Sequence, residues 1–522
     1  MNTTPEPSRV SLLTLVRPPA VVPKWAHTTP ICPPIGVAYV ASAVREAGYR
    51  VAIVDALGEA VLETREVDGR PGFLVRGLSI EELVRRVDQE TAYIGLSCMF
   101  SHEWPVARKV INALREALPN AAIIAGGEHI TAIPEFSLQD CPALDYCAIG
   151  EGEETIVDLV ASLDAGRPIA AVPGIVYREG GEAVRTATRG RIRRLNDIAP
   201  PAWDLVPLAH YFDHGFGFGV NRGRSLPVLA SRGCPYECTF CSNPTMWTTR
   251  WIARDPEILL DEMLGYIEQY QIENFDFYDL TAIVRRDWII DFCQKIIERG
   301  HRFTWQLPSG TRSEAIDGEV ARLLYDSGCR NISYAPESGS PSVLKRIKKK
   351  VALDRMKGSM RAAIKSGLNV KANIIIGFPD ETHGEIFETL KFLVEMALTG
   401  VHDMSISPFS PYPGSELFDD LRARGQILEF SDDYFYSLET YTDLLHTISM
   451  SQHVSGRALG LYRGFSMVLF YGVAFAVRPW RIVKTVVNVF RDHQESRGEM
   501  SLRDLFFRVR DSATVGADHS SR

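Results

Sequence analysis

Three cysteines crowd one short loop of this 522-residue chain. The stretch "SRGCPYECTFCSNP" brings Cys234, Cys238 and Cys241 together within eight positions, although the chain has only nine cysteines. Thiolates at this spacing can reach three corners of an iron–sulfur cube, whereas complete ligation takes four. The loop therefore predicts a cluster with one open iron, at which a further molecule can bind and be activated.

The alternative for this loop is a structural zinc site, with Cys293, Cys329 or a histidine as the fourth ligand. Zinc-binding cysteines usually come as two pairs, and the chain has no second C-x2-C pair. Cys293 lies within a helical pattern that turns it toward the core. The spacing favours the iron–sulfur cluster.

The composition and the N-terminus narrow the class of protein. A net charge of -8 and a pI near 5.9 argue against a nucleic-acid binder. The start "MNTTPEPSRV" has no basic n-region, and "SLLTLV" is too short for the apolar part of a secretory signal. We therefore expect a cytoplasmic protein with reduced thiols, whose six other cysteines are buried apolar side chains.

Residues 1–170 alternate short apolar strands with amphipathic helices. "SLLTLV", "YRVAIVDAL", "AYIGLSC" and "AAIIAGG" are predicted strands, and "GVAYVASAVREAG" is a predicted helix. The alternation predicts an α/β fold, a Rossmann-like doubly wound parallel sheet. Ligands of such sheets bind beyond the carboxyl ends of the strands, and glycine-rich loops there favour a nucleotide-like or corrin-like ligand. The residues predicted at these ends are Asp55, Ser97, Gly126, Gly127, Glu128, His129, Gly150, Glu151, Gly152 and Glu153.

A second alternating series follows a polar connector, residues 171–210, in which we expect a small hairpin around Gly180 and Gly181. Residues 211–430 hold six predicted strands with helices between them, from "LPVLAS" to "DMSISPFSP". Six such repeats predict a partial (β/α)6 barrel with its active site at the C-terminal ends of the strands. The cysteine loop follows the first strand, where such a barrel carries its chemistry.

The segment from about Leu226 to Arg424, with "GCPYECTFC" as its loop, resembles the radical S-adenosylmethionine (SAM) superfamily. The resemblance implies a [4Fe–4S] cluster on Cys234, Cys238 and Cys241, with SAM chelated to the open iron. Reductive cleavage of SAM then yields a 5′-deoxyadenosyl radical that abstracts a hydrogen atom.

Further motifs of the superfamily stand in order along the barrel: "FYDLT", "YAPESGS" and "NIIIGFPDET". Two positions depart from the pattern, since Asn373 replaces a glycine and Leu280 replaces the second of two acids. Glu381 occupies the final acidic position. The residues that the resemblance implies as SAM contacts are Phe240, Asp279, Glu337, Ser338, Ile375 and Gly377.

Residues from Leu12 to about Asp164, with "AGGEHITAIPE" and "AIGEGEETI", resemble the cobalamin-binding domain of one radical SAM subgroup. The resemblance implies that Asp55, Ser97, Gly126, Gly127, His129, Gly150 and Gly152 contact cobalamin. Leu57 stands where many cobalamin proteins carry the lower axial histidine. His102 and His129 are the alternative ligands, although a lone loop histidine is more often structural.

The C-terminal extension, residues 431–522, is predicted to be mainly helical. Its apolar run "FSMVLFYGVAFAV" has about thirteen residues, fewer than the ~20 that span a membrane. The next helix places Ile482, Val483, Val486, Val487 and Phe490 on one face, opposite Lys484, Asn488 and Arg491. This pattern suits either an amphipathic helix at a membrane surface or a cap packed on the barrel. The tail "DSATVGADHSSR" is predicted to be disordered.

The leading hypothesis is a cobalamin-dependent radical SAM methyltransferase that acts on a hydrophobic or specialised metabolite. The alternatives are a radical cyclase or carbon–carbon coupling enzyme with a lipid, isoprenoid or tetrapyrrole substrate, and a metal-stabilised scaffold without activity. Met246, Trp247 and Trp251 either line an apolar substrate pocket or pack in the core. The reaction needs an electron donor such as flavodoxin or ferredoxin. The motifs assign no catalytic residue.

Overall fold

The chain forms two parallel α/β sheets, a small antiparallel sheet and a helical C-terminal extension. The predicted fold class, a Rossmann-like sheet followed by a partial barrel, is confirmed. The predicted disordered tail lies outside the described residues. The computed structural model describes residues 11–26, 31–300, 302–427, 429–441, 443, 447–491 and 494–503.

The first sheet has seven strands in the order β10-β9-β8-β7-β6-β1-β3. Its first five strands along the chain run parallel, and the hairpin β9–β10 adds an antiparallel edge, so the connector extends this sheet. Apolar side chains on both faces explain why helices cover both sides. Its strands are β1 Leu12–Arg17, β3 Arg50–Asp55, β6 Thr91–Ser97, β7 Ala122–Gly126, β8 Tyr146–Ala148, β9 Ile175–Glu179 and β10 Glu182–Arg185. Its helices are α1 Ile35–Glu46, α2 Ala56–Glu59, α3 Ile80–Arg86, α4 Trp104–Ala117, α5 Glu128–Ala132, α6 Pro134–Asp140 and α7 Gly152–Asp164.

A separate antiparallel sheet in this domain was not predicted from the sequence. It joins β2 Ala20–Pro23, β4 Thr64–Val67 and β5 Arg70–Arg76, in the order β2-β5-β4. Asp68 and Gly69 form the turn between β4 and β5, and Gly69 takes a φ of +71°. Asp-Gly between two strands is a hairpin signal that the charged flanking residues obscured.

The second sheet has six parallel strands in the order β11-β14-β15-β16-β17-β18, open between β11 and β18. Its core is rich in aromatic rings, with Phe277 and Trp305 5.1 Å apart between centroids. The strands are β11 Ser225–Val228, β14 Asn274–Phe277, β15 Thr304–Thr311, β16 Cys329–Glu337, β17 Asn369–Ile376 and β18 Asp403–Pro408, and a short pair, β12 Ser231–Arg232 and β13 Ile252–Ala253, flanks the cysteine loop. The helices from the connector onward are α8 Leu208–Asp213, α9 Asn243–Trp247, α10 Pro256–Tyr270, α11 Arg286–Arg299, α12 Gly318–Asp326, α13 Pro341–Arg346, α14 Leu353–Lys365, α15 His383–Thr399 and α16 Glu416–Ala423.

The C-terminal extension contacts both domains. Its helices are α17 Asp432–Ser437, α18 Gly456–Val477 and α19 Trp480–Phe490. Phe435 of α17 packs in the core of the first domain, and Leu459 and Phe470 of α18 pack in the core of the barrel.

Helix α18 corrects the predicted length of the apolar segment. It spans 22 residues and, among the described residues, is a helix long and apolar enough to cross a membrane by length and composition alone. One face packs against α15 and β18, and 22% of its apolar window is buried. Length and composition therefore remain weak grounds for a membrane span.

Candidate active site between the two domains

The cysteine loop leaves the C-terminal end of β11 and is held in place by backbone hydrogen bonds. Thr239 N–H donates to Ile347 O at 3.1 Å, and Leu417 N–H donates to Thr239 O at 2.8 Å. Gly233 takes a φ of +85°, and a Cβ there would lie 2.2 Å from Arg250 O. Only glycine fits this turn, because any side chain would collide with the neighbouring backbone.

The three thiols of the loop share burial but differ in the charges around them. Burial raises the pKa of each thiol, to about 12 for Cys241, while Lys349 and Arg312 act in the opposite direction at Cys234 and Cys238. Such thiols ionise only against nearby positive charge. Bound iron supplies that charge, so the loop and its two basic neighbours fit a [4Fe–4S] cluster.

The alternative zinc ligands lie elsewhere. Cys329 begins β16, at the opposite end of the barrel from the loop, and Cys293 is buried in α11 close enough to Cys329 to affect its pKa. Within the described ranges, no three His, Cys, Asp or Glu side chains gather tightly enough to hold a single metal ion. A four-iron cluster spreads its thiolates further apart than one ion does.

The residues predicted to contact SAM lie at the C-terminal ends of the barrel strands, but two of them are engaged within the protein. Asp279 accepts hydrogen bonds from Ser231 Oγ at 2.5 Å and Ala230 N–H at 3.1 Å, which braces the strand that leads into the loop. Ser338 Oγ is 3.1 Å from Thr389 Oγ1 of α15. These two side chains position the backbone around the site.

Glu337 and Glu381 place two buried carboxylates at the same end of the barrel. Glu337 ends β16 with a φ of +66°, unusual for a residue with a side chain, and its carboxylate pairs with buried Lys349 at 2.8 Å. Glu381 bonds to the N–H groups of Gly377 and Phe378 through one oxygen, while its other oxygen is buried without a hydrogen-bond partner among the described residues. Burial raises the pKa of Glu381 to about 7.

The remaining predicted contacts, Phe240, Ile375 and Gly377, form an apolar wall beside this carboxylate. Phe240 packs against Phe378 with centroids 5.8 Å apart. Gly377 takes a φ of +83°, and a Cβ there would lie 2.5 Å from Leu459 of α18. The C-terminal extension therefore closes over this end of the barrel.

The sequence missed Lys349 and Arg312. Lys349 belongs to the run "KRIKKK", which looks like a solvated surface, and Arg312 lies on a loop after β15. Arg312 stacks its guanidinium 3.7 Å from the ring centroid of Tyr236, inside the cysteine loop. The sequence shows Tyr236 between two of the cysteines, but it does not indicate that Arg312 is the partner of this ring.

On the first domain, the predicted cobalamin contacts differ in how open they are. Gly150 has a φ of +75° and open space where a Cβ would stand, and Gly126 meets nothing closer than 3.8 Å. Met99 and Phe100 follow the strand end at Ser97 and are exposed apolar side chains. This open, partly apolar strand edge fits a corrin. Gly127 and Gly152 shape the loops beside it, and a Cβ on Gly127 would lie 2.4 Å from Cys98 O.

Asp55 and His129 are occupied by the protein itself. The Asp55 carboxylate accepts from Gly58 N–H at 2.9 Å and from Tyr211 Oη at 2.5 Å, so it caps α2 and ties α8 to the sheet. The His129 ring lies 3.0 Å from Ser101 Oγ and 3.4 Å from Ser137 Oγ, one contact for each nitrogen. Coordination of cobalt by His129 would therefore require these contacts to break.

His102, the second candidate ligand, is also buried. Its Nδ1 lies 3.4 Å from Glu439 Oε2 of the C-terminal extension. Burial lowers the pKa of both histidines to about 3. Both are structural in this arrangement.

The burial of His129 predicts acid sensitivity that one substitution should reduce. The pKa of His129 is about 6.5 in the unfolded chain and about 3 in the folded one, so only the unfolded chain takes up a proton between these pH values. The contribution of His129 to the free energy of unfolding is therefore fully present above pH 6.5 and is lost as the pH falls toward 3. Each such histidine contributes a slope of about 1.4 kcal/mol per pH unit in this window. Urea unfolding at several pH values should show a shallower slope for His129→Gln than for the wild type. The control is His453→Gln, which changes an exposed side chain and should leave the slope as in the wild type. An unchanged slope in His129→Gln would contradict the buried, neutral state of His129.

Buried ion pairs at one end and a hydrogen bond at the other join the first domain to the cysteine loop. Arg232, two positions before Cys234, binds Glu151 at 3.0 Å and Glu153 at 2.6 Å. Ser242, directly after Cys241, donates to Glu128. The carboxylates of the two glycine-rich loops therefore hold the cysteine loop, and the C-terminal ends of the two sheets face each other.

Arg191 of the connector completes this contact. Its Nε lies 2.7 Å from Glu151, and its guanidinium stacks on the Trp247 ring at 5.1 Å. Trp247 therefore belongs to the domain interface. Trp251 donates to Ser231 Oγ at 3.0 Å and supports the start of the loop.

The first domain has an open sheet edge for one cofactor, and its glutamates hold the three-cysteine loop of the barrel, which is the site for another. This arrangement defines a radical enzyme with two cofactor domains. Comparison with known families agrees: residues 25–160 match the B12 binding domain, and residues 228–393 match the Radical SAM superfamily. The chain belongs to the radical SAM superfamily, in the cobalamin-dependent group whose cofactors are a [4Fe–4S] cluster, SAM and cobalamin.

Individual relatives cover most of the chain. An uncharacterized methyltransferase of Pyrococcus horikoshii is 29% identical over 93% of this chain and 96% of its own length. The cytidylyl-2-hydroxyethylphosphonate methyltransferase of Streptomyces wedmorensis is 28% identical over 81% of this chain and 83% of its own. The fold is similar to that of the radical SAM methyltransferase TsrM from Kitasatospora setae, solved with cobalamin and a [4Fe-4S] cluster, with a TM-score of 0.62, 17% identity and coverage of 81% of this chain and 76% of that one.

Proposed function

We propose that this enzyme methylates an unactivated carbon of a hydrophobic or specialised small molecule. The main support for the proposal is the set of contacts that Glu128, Glu151 and Glu153 make with the cysteine loop. These contacts fix the cobalamin-binding edge opposite the cluster. When bound, the cluster with SAM supplies a hydrogen-abstracting radical, and cobalamin supplies the methyl group.

The residues of the chain orient these groups and exclude water. Lys349 and Glu337 form a buried polar wall beside the loop, and Phe240 and Phe378 form an apolar one. Leu280, which is exposed three residues after the end of β14, adds apolar surface there. Exclusion of water by such walls protects a reactive radical, and the apolar side chains favour an apolar substrate.

We also propose the partners of the reaction. The cluster needs a one-electron donor, for which flavodoxin or ferredoxin is the expected class. The reduced, unpaired thiols favour a cytoplasmic location. The apolar helices of the C-terminal extension favour peripheral contact with a membrane, and such contact would suit a lipid-like substrate.

Product stoichiometry tests the proposed reaction. Methylation by this route consumes two SAM molecules, so S-adenosylhomocysteine and 5′-deoxyadenosine should form in equal amounts with a product heavier by one CH2 unit. Chromatography with mass detection on the anaerobically reconstituted holoenzyme, given candidate metabolites, reads all three. Formation of 5′-deoxyadenosine with a product that has lost hydrogen and gained no carbon would instead identify a cyclase or coupling enzyme.

A further inference from the structure

The outer faces of α18 and α19 expose large apolar side chains. Leu461 is 76% exposed and Val468 72% on α18, and Val483 is 66% exposed on α19. Trp480 stands exposed at the joint between the helices. The inner face of α18 is packed on the barrel, so these residues form a separate surface, here called the α18–α19 face.

The same segment is basic, although the chain as a whole is acidic. Residues 456–491 contain no Asp or Glu, whereas the net charge of the chain is -8. Arg478 and Arg481 donate to four backbone carbonyls at the C-terminal end of α15, at distances of 2.8 to 3.1 Å. These acceptors carry no net charge. The basic residues of the segment are Arg457, Arg463, Arg478, Arg481, Lys484 and Arg491.

A basic cavity opens beside α19. It has a volume of about 310 Å³ at the N-terminal ends of the barrel strands, and Arg222, Arg330, His402 and Lys484 are in its lining together with Glu495. Burial, followed by the charges of Arg481, Lys484 and Arg478, lowers the pKa of His402 to about 3. His402 is therefore uncharged at neutral pH, and the cavity sets Arg222, Arg330 and Lys484 against Glu495 alone, an excess of positive charge that suits a phosphate group.

Helix α18 connects this basic end of the barrel to the active-site end. Leu459, near its start, lies against Gly377, and Arg478, just after its end, lies against Gly400. At 1.5 Å per residue, the helix is about 33 Å long. The α18–α19 face therefore runs along the whole side of the barrel.

We propose that the α18–α19 face docks the enzyme on a bilayer that contains anionic phospholipids, with lipid phosphates entering the basic cavity. Apolar side chains, an interfacial tryptophan and flanking basic residues are the features of a helix that lies in a membrane surface. A second copy of the chain fits less well, because a two-fold interface would bring the basic segment against itself. The inference rests on the membrane contact proposed above and specifies its lipid; it depends on these two helices and not on the methylation reaction.

Vesicle sedimentation with the full-length holoenzyme tests this surface. The protein should sediment with vesicles of phosphatidylcholine plus phosphatidylglycerol and far less with phosphatidylcholine alone. The double variant Val483→Glu/Val486→Glu should weaken binding at least about tenfold, since it puts two carboxylates into the apolar face. Lys484→Gln should weaken it about fivefold, the effect of one basic residue near an anionic surface.

Matched variants control for a general loss of charge or apolar surface. Leu62→Glu changes a 60% exposed leucine of the first domain, and Lys24→Gln changes a lysine that pairs with Glu66 at 2.8 Å, as Lys484 pairs with Glu495 at 2.6 Å. Both should bind like the wild type. Equal binding to both vesicle types would overturn the anionic requirement. A dimer that Val483→Glu dissociates, without vesicle binding, would assign the face to a second copy and overturn the proposal. Iron and cobalamin contents, measured on the same samples, separate this outcome from failure of the proposed function.

Discussion

Cys238→Ala should abolish SAM cleavage while the chain remains folded. Cys238 is a buried residue at the centre of the loop, and two thiolates cannot hold a four-iron cluster. The loop backbone is held independently by Thr239 and Leu417, so the fold does not require the cluster. Iron and sulfide analysis should show loss of most of the roughly four irons that a [4Fe–4S] cluster holds, and 5′-deoxyadenosine should become undetectable.

The control is Cys141→Ala, which removes a buried thiol from the first domain. It should keep its iron, its cobalamin and its SAM cleavage. If Cys238→Ala instead unfolded the chain, as circular dichroism would show, the metal would be structural and the scaffold hypothesis would gain. Zinc in place of iron in the wild-type protein would also refute the cluster.

Arg232→Gln should separate the two cofactor sites without removing either set of ligands. The Arg232 side chain is 5% exposed and bridges Glu151 and Glu153, so its loss leaves the buried Glu153 carboxylate unpaired, at a cost of about 3–5 kcal/mol, while Glu151 keeps Arg191. Relaxation of this contact should let the cysteine loop move relative to the cobalamin-binding edge. We expect methylated product to fall at least a hundredfold, while SAM cleavage falls much less.

Two further variants show whether the charge contact is responsible. Arg232→Lys can bind only one carboxylate and should be intermediate, and adding Glu153→Gln to Arg232→Gln should recover part of the stability, since it removes one stranded charge. Arg185→Gln, which breaks a half-exposed pair with Glu135, is the matched control and should behave like the wild type. Parallel losses of SAM cleavage and methyl transfer would show that Arg232 supports the fold only.

The sequence by itself determined the chemistry and the architecture. The spacing of Cys234, Cys238 and Cys241 defines an incompletely ligated cluster, because local chain geometry alone brings the three thiols onto one loop. The alternation of strands and helices determined both parallel sheets for the same reason, since the hydrophobic period of each segment is a local property. The small antiparallel sheet was not predicted, because two local signals conflict there. Asp68 and Gly69 indicate a hairpin, whereas the charged residues of the strands on either side do not indicate strands.

The tertiary structure alone decided what each strand-end residue does. Asp55, Asp279 and His129 stand at strand ends where the sequence predicts ligand contacts, yet each is occupied by a partner distant in sequence. The glutamates of the two glycine-rich loops hold the cysteine loop, which no local pattern of the first domain indicates. Lys349 is buried beside that loop although its own sequence looks like a surface. Pairing of this kind depends on long-range contacts and on burial, and these are set only when the two domains and the C-terminal helices pack together.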